Sequence, residues 1–146
     1  MPEGVTSLGD GAFARCTELA SITLPGSLTS LGNKVFERTS LASITLPNGV
    51  ASLGDYAFQD CALLRAIALP NGLQTIGTGA FFGCEMLSSI SLPTSLTSLS
   101  SAAFFNCKQL SSVTLPAGLT AIGELAFYNC RSLVSISLPD SLASIG

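Results

Sequence analysis

The sequence predicts a repeat solenoid, mostly β with one short helical turn per repeat, holding about six and a half stacked repeats. Three observations predict it. All seven prolines fall in one column, at positions 2, 25, 47, 70, 93, 116 and 139, spaced by 23 residues and once by 22. Phenylalanine recurs with the same period at 13, 36, 58, 81, 104 and 127, and cysteine follows three residues later at 16, 61, 84, 107 and 130. A segment L-x-x-[IV]-x-L starts at Leu19, Leu41, Leu64, Leu87, Leu110 and Leu133. Units this short cannot bury their own apolar faces, and stacked copies can, through columns of Leu, Ile, Phe and Cys inside one coil.

The elements of a unit follow in a fixed order. Residues 87–92 read L-x-x-I-x-L and end in the period-two alternation of a half-buried strand. Proline then stops the strand, because it has no ladder donor, and begins a turn, as at Pro47-Asn48-Gly49 and Pro70-Asn71-Gly72. A second short extended stretch follows at residues 28–31, 96–99 and 119–122. Glycine comes next at 9, 32, 54, 77 and 123, with Ser100 in its place once. Behind it stand Asp10, Asn33, Asp55, Thr78 and Ser101, whose side chains accept from the free N–H groups of a helix start. The A-F-x-x-C run is therefore expected to form about one helical turn. Glu124 breaks the capping rule, so the last turn is expected to be less well defined. Unit two is one residue short between Phe36 and Leu41, and a local pinch without a cysteine is expected there. At about 4.8 Å per rung the coil should be roughly 30 Å long. The expected organisation is a single solenoid over residues 1–146, whole or a piece of a longer array.

Composition agrees. The chain is 47% hydrophobic and 10% charged, against roughly 25% charged in an average domain. Its surface must be built from Ser and Thr. The net charge of −3 is too small for electrostatic steering. Arg15, Lys34, Arg38, Arg65, Lys108 and Arg131 are scattered, which gives no footprint for nucleic acid. No basic segment followed by an apolar one opens the chain, and no apolar run approaches the ~20 residues of a membrane helix. Neither nucleic-acid binding nor membrane insertion is expected.

The pattern L-x-x-I-x-L-P-x-x-L-x-x-I-G-x-x-A-F-x-x-C resembles the BspA-like class of leucine-rich repeats, over essentially the whole chain. The resemblance implies a leucine-rich-repeat solenoid with a protein-binding habit. Members of the class serve as surface or host-interaction modules and also occur as large intracellular expansions. It implies no catalytic residues. The departures are the missing cysteine of unit two and Ser100.

Candidate chemistry is thin. Five cysteines, one per repeat at a single column, read as a buried ladder of small apolar thiols. Sulfurs on successive rungs do not converge on a tetrahedral metal site. Neighbouring rungs could approach disulfide distance, but an odd count in a repeating column points to reduced thiols and a reducing setting. With no histidine, the common Ser-His and Cys-His nucleophile pairs are absent. The carboxylates occupy several columns, and no acid/base couple stands out. No enzyme activity, cofactor or metal is expected, and the expected role is a non-catalytic protein-interaction scaffold or structural subunit.

Two surfaces are candidates. One is the column after the core phenylalanine, where Phe82, Phe105 and Tyr128 recur, with Lys108 and Arg131 beside them. If exposed, these aromatics form an apolar stripe for a protein partner; if not, they complete the core edge. The other is the outward face of the main strand, a hydroxyl strip of Ser21, Thr23, Ser43, Thr45, Ser89, Ser91, Ser112, Thr114, Ser135 and Ser137. Such an array suits an ordered lattice such as ice, or a sugar polymer. The alternative is that Ser and Thr are simply small and strand-compatible, and Ala66 and Ala68 interrupt the strip. The chain shows no polar capping unit at either end, so end-to-end self-association is a further expectation.

Overall fold

The computed structural model describes residues 1–146 as one coil of parallel rungs. Two short strands recur per rung. On one side lie β1 (Ser7–Leu8), β2 (Ser30–Leu31), β4 (Ser52–Leu53) and β6 (Thr75–Ile76), paired in that order. On the same column β8 (Ser98–Leu99), β10 (Ala121–Ile122) and β11 (Ser144–Ile145) form a separate sheet. The other column holds β3 (Ser43–Thr45) paired with β5 (Ala66–Ala68), and β7 (Ser89–Ser91) paired with β9 (Ser112–Thr114). Every register step is one repeat: Ser7 opposes Ser30, and Ser30 opposes Ser52. Proline opens the turn between the two columns, its carbonyl accepting the N–H three residues on at 3.1–3.2 Å in all six units from Pro25 to Pro139. Inside, 31 apolar residues form one cluster, led by the fully buried Phe36, Phe58, Phe81 and Phe104. The core phenylalanines stack rung on rung, with centroids 5.3–5.6 Å apart. The chain contains no helix, and so none long and apolar enough to cross a membrane.

The helical turn expected after the glycine column is therefore not formed, and the backbone shows why. Two positions per unit, four residues apart, lie in the left-handed region. They are Gly11 and Arg15, Lys34 and Arg38, Tyr56 and Asp60, Gly79 and Gly83, Ala102 and Asn106, and Leu125 and Asn129. A right-handed helix cannot run through them. Alternate N–H groups close i−3 turns, such as Ala14 to Gly11 and Cys16 to Phe13. The groups between them leave for the next rung: Phe13, Phe36, Phe58, Phe81 and Phe104 donate to Val35, Ala57, Ala80, Ala103 and Ala126 at 2.8–2.9 Å. The segment thus exchanges helical bonds for bonds that tie rungs together. Nine of the left-handed residues are not glycine, and each carries roughly 1–2 kcal/mol of local strain, less at Asn and Asp. Ala102→Gly is expected to stabilise the chain by roughly 0.5–1 kcal/mol, after the added entropy of the unfolded glycine is counted. A helical turn would instead lose about 1 kcal/mol. The shift of the urea midpoint gives the sign.

The expected caps act between rungs rather than within a turn. Asp10 Oδ1 accepts from Asn33 N–H, Asn33 Oδ1 from Asp55 N–H, and Asp55 Oδ1 from Thr78 N–H, each at 2.7 Å. Since no helix start needs capping, Glu124 does no harm. The turn behind it keeps the same i−3 bonds, Tyr128 to Leu125 and Cys130 to Phe127. Unit two also closes its ladder. Thr39 sits three residues after Phe36, in the cysteine position, buried, with its hydroxyl donating to Phe36 O at 3.0 Å and lying 3.3 Å from Cys61 Sγ. The missing residue is absorbed between Thr39 and Leu41.

The glycine column lies where rungs touch. Gly32, Gly54, Gly77 and Gly123 donate N–H to Leu8, Leu31, Leu53 and Leu99 carbonyls at 2.8–3.0 Å. A Cβ on any of them would fall 2.5–2.6 Å from atoms of the rung before. Ser100 has that Cβ. Its N–H makes no such bond, and its Oγ donates to Ile76 O at 2.7 Å instead. The strand column breaks there, between β6 and β8, and the Asx ladder also ends at Thr78.

Candidate interaction surface

The cysteine column is interior chemistry. The thiols of Cys61, Cys84, Cys107 and Cys130 donate to Phe36, Phe58, Phe81 and Phe104 carbonyls at 3.0–3.2 Å, one unit plus three residues back. Burial raises the thiol of Cys61 above its ordinary value and pushes Cys84 and Cys107 well above it. Cys130, only partly covered, is pushed up to about 11 by the same desolvation. A thiol held protonated neither attacks nor ligates readily. Native alkylation is expected to modify the exposed Cys16 first and Cys130 slowly, with Cys61, Cys84 and Cys107 reacting only on unfolding. Timed mass spectrometry reads this directly, and a second fast site among the buried three would refute it. Because the folded values are raised, the stability tied to protonated thiols is complete below the ordinary value of 9.0 and is lost as the pH climbs through it towards 11 for Cys130.

All ten residues of the hydroxyl strip are exposed. Their strands pair in two separate ladders. Ser43 opposes Ala66 and Thr45 opposes Ala68 in one ladder, while Ser89 opposes Ser112 and Ser91 opposes Thr114 in another. Residues 21–23 and 135–137 form no strand. Beside the first two rungs lies an open groove of about 700 Å³, lined by Ser21, Thr23, Ser43, Thr45 and Asn48 with Ile22 and Ile44. Hydroxyls elsewhere do the tying: Thr29 donates to Thr6 O, Ser111 to Ser88 O and Thr120 to Thr97 O. Joining rungs is thus a role for some of the Ser and Thr side chains.

The structure brings the aromatic column together. Phe82 and Phe105 stack with centroids 4.6 Å apart and planes 4° from parallel, and Phe105 and Tyr128 stack at 4.6 Å and 19°. This second stack runs outside the core stack. Phe82 and Phe105 are half-buried, and Tyr128 is 55% exposed. Beside it Asn129 Nδ2 donates to Asn106 Oδ1 at 2.6 Å, and Arg131 Nε donates to Asn129 Oδ1 at 2.8 Å. Lys108 Nζ is paired with Glu85 Oε1 at 2.6 Å, in solvent, where the pair adds little stability. Three neighbours were missed in the sequence. Asn106 and Asn129 repeat at the unit spacing, which was the available signal. Leu125, 54% exposed, shares a shallow opening with Tyr128 and has no equivalent that would have marked it.

The profile of the "BspA type Leucine rich repeat region" matches six copies in this chain, over residues 1–107 and 78–146. The chain belongs to that family. This BspA-type chain is similar to a leucine-rich repeat protein from Bacteroides ovatus, at 34% identity and a TM-score of 0.95, which covers all of this chain and 38% of that one. It is similar to the T. pallidum leucine-rich repeat protein at 28% identity and a TM-score of 0.82, over 88% of this chain and 72% of that one. With the pneumococcal vaccine antigen PcpA it shares the fold, at 20% identity and a TM-score of 0.53, over 97% of this chain and 50% of that one. No curated protein matches it. The BspA-type repeat explains the periodic columns. The second aromatic stack occupies only the fourth, fifth and sixth phenylalanine units, where earlier units carry Ala14, Glu37 and Gln59, so it is a feature of this half of the solenoid.

Proposed function

We propose that this chain is a non-catalytic scaffold that docks a protein partner on the Phe82–Phe105–Tyr128 stripe. The observation that supports this most is the stack itself: three aromatics aligned at 4.6 Å on the outer surface, where the core needs none of them. Face-to-face packing hides the ring faces inside the stack, so along the length of the stripe a partner meets ring edges. Edges carry the positive end of the ring quadrupole and favour acceptor atoms or aromatic faces. Arg131, Lys108 and the Asn106–Asn129 amides add donors alongside. The surface therefore suits an apolar segment bordered by carbonyls or carboxylates. The hydroxyl strip is exposed but broken into pairs, and it supports no second reading of equal weight.

The test is capture of partners from the protein's own cell extract, comparing the unaltered chain with Phe105→Ala and Tyr128→Ala, and with Ser89→Ala/Ser112→Ala as the control surface. Truncating a central aromatic is expected to weaken capture by roughly tenfold or more, and the strand-face control by little. Loss confined to the control variant would overturn the assignment. A second copy of this chain among the captured species would make the stripe a self-association surface.

A further inference from the structure

Asn-Gly dipeptides occur twice, at equivalent places in consecutive units: Asn48-Gly49 after Pro47, and Asn71-Gly72 after Pro70. All four residues are exposed, and neither glycine N–H makes a hydrogen bond. Each pair forms the middle of a four-residue turn closed by the proline carbonyl, from Val50 N–H at 3.1 Å and Leu73 N–H at 3.1 Å. The two turns differ in what the next rung places over them. Above Asn71 lies Ser95, whose Oγ shares its hydrogen between Asn71 O at 2.8 Å and Leu73 O at 2.5 Å, spanning the Asn-Gly peptide. Above Asn48 the same column holds Gly72, where even an added Cβ would stand 3.8 Å from Asn48 O. The column works the same way elsewhere: Ser141 Oγ donates to Ala117 O and Leu119 O.

We infer that Asn48-Gly49 is a site of spontaneous succinimide formation in the folded protein, and that Ser95 protects Asn71-Gly72 from the same reaction. The Gly49 nitrogen attacks Asn48 Cγ, a C–N bond forms, the nitrogen proton passes to water, and Nδ2 leaves as ammonia. Water then opens the five-membered ring at either carbonyl, giving aspartate or isoaspartate. Ring closure needs rotation about the Asn48 backbone to bring nitrogen and Cγ together. The unclamped turn permits that rotation, and the Ser95 hydroxyl resists it at Asn71. The product puts a carboxylate on the wall of the open groove beside the first two rungs, which Asn48 lines.

The test holds the intact chain at mildly alkaline pH and physiological temperature, and maps peptides over time for a one-dalton gain and for isoaspartate. Folded, Asn48 is expected to convert several-fold faster than Asn71. In urea the two are expected to convert at equal rates, because their local sequences, P-N-G-V and P-N-G-L, are nearly the same. Ser95→Gly, which copies Gly49 and Gly72 in that column, is expected to raise the Asn71 rate to that of Asn48. Equal rates in the folded chain, or a difference that persists in urea, would overturn the inference without any variant.

Discussion

Phe81→Ala is expected to cost about 3–5 kcal/mol, the scale of an aromatic deleted from a closed core. Phe81 is fully buried and lies between Phe58 and Phe104, with centroids 5.5 and 5.3 Å away. Its loss leaves a void in the middle of a one-dimensional stack, where each rung is held only by its neighbours. The damage should therefore extend beyond stability: the two halves should begin to unfold separately, and the denaturant transition should broaden. Phe105→Ala supplies the comparison. It is the same deletion in the outer stack, half-buried, and is expected to cost only about 1 kcal/mol, mostly from lost ring contact. Urea unfolding of both variants reads the difference. Equal losses would mean that the outer aromatics are part of the core, and the interaction surface proposed for them would fall. Unequal losses leave Phe105→Ala as a folded variant fit for binding experiments.

Much of the architecture was legible because a period of 23 imposes the same environment on each column. The proline and leucine columns marked strands and turns, and the phenylalanine column marked the core. What the sequence hid was the partner of each polar group. Asp10, Asn33 and Asp55 have the right chemistry to cap a helix, and they do accept backbone N–H groups, but from the following rung. Composition cannot separate the two cases, since an Asx oxygen accepts equally well from either amide. The left-handed positions were hidden for a related reason. Glycine marks them at Gly11, Gly79 and Gly83, but Tyr56, Ala102 and Leu125 occupy them as well. Their strain is borne by inter-rung bonds that no local propensity reports. Thr39 shows the converse. Read as a gap in the cysteine column, it is a hydroxyl placed where the thiol would be, donating to the phenylalanine carbonyl of its own unit where the thiols donate to that of the unit before. For the candidate stripe, spacing placed Phe82, Phe105 and Tyr128 on one line. Their parallel stacking, which covers the faces between the rings and turns ring edges outward along the stripe, follows from the tight rung spacing and needed the structure.

Gly54→Ala is expected to cost about 1–3 kcal/mol, or more if the rungs cannot shift. A Cβ there would lie 2.5 Å from Asn33 N and Gly32 C and 2.6 Å from Gly32 O, all backbone atoms that cannot swing aside. Relief requires parting the rungs, which lengthens the Gly54 N–H to Leu31 O bond now at 2.9 Å and weakens the β2–β4 ladder. The chain already contains the outcome of such a change. At Ser100 the N–H bond is gone, the hydroxyl makes a substitute, and the strand column is cut. Ser100→Gly should then act in the opposite direction, recovering the N–H to Ile76 O bond and joining β6 to β8. One hydrogen bond is worth about 1 kcal/mol net, and the added glycine entropy offsets 0.5–1 kcal/mol of it, so the expected change runs from neutral to slightly stabilising. The informative quantity is the difference in sign between the two substitutions at one column, measured as urea midpoints. Amide exchange at residues 98–99 should slow in Ser100→Gly, because the strand there regains a partner. Were Gly54→Ala tolerated without loss, close approach would not be the reason for glycine, and the break at Ser100 would need another cause.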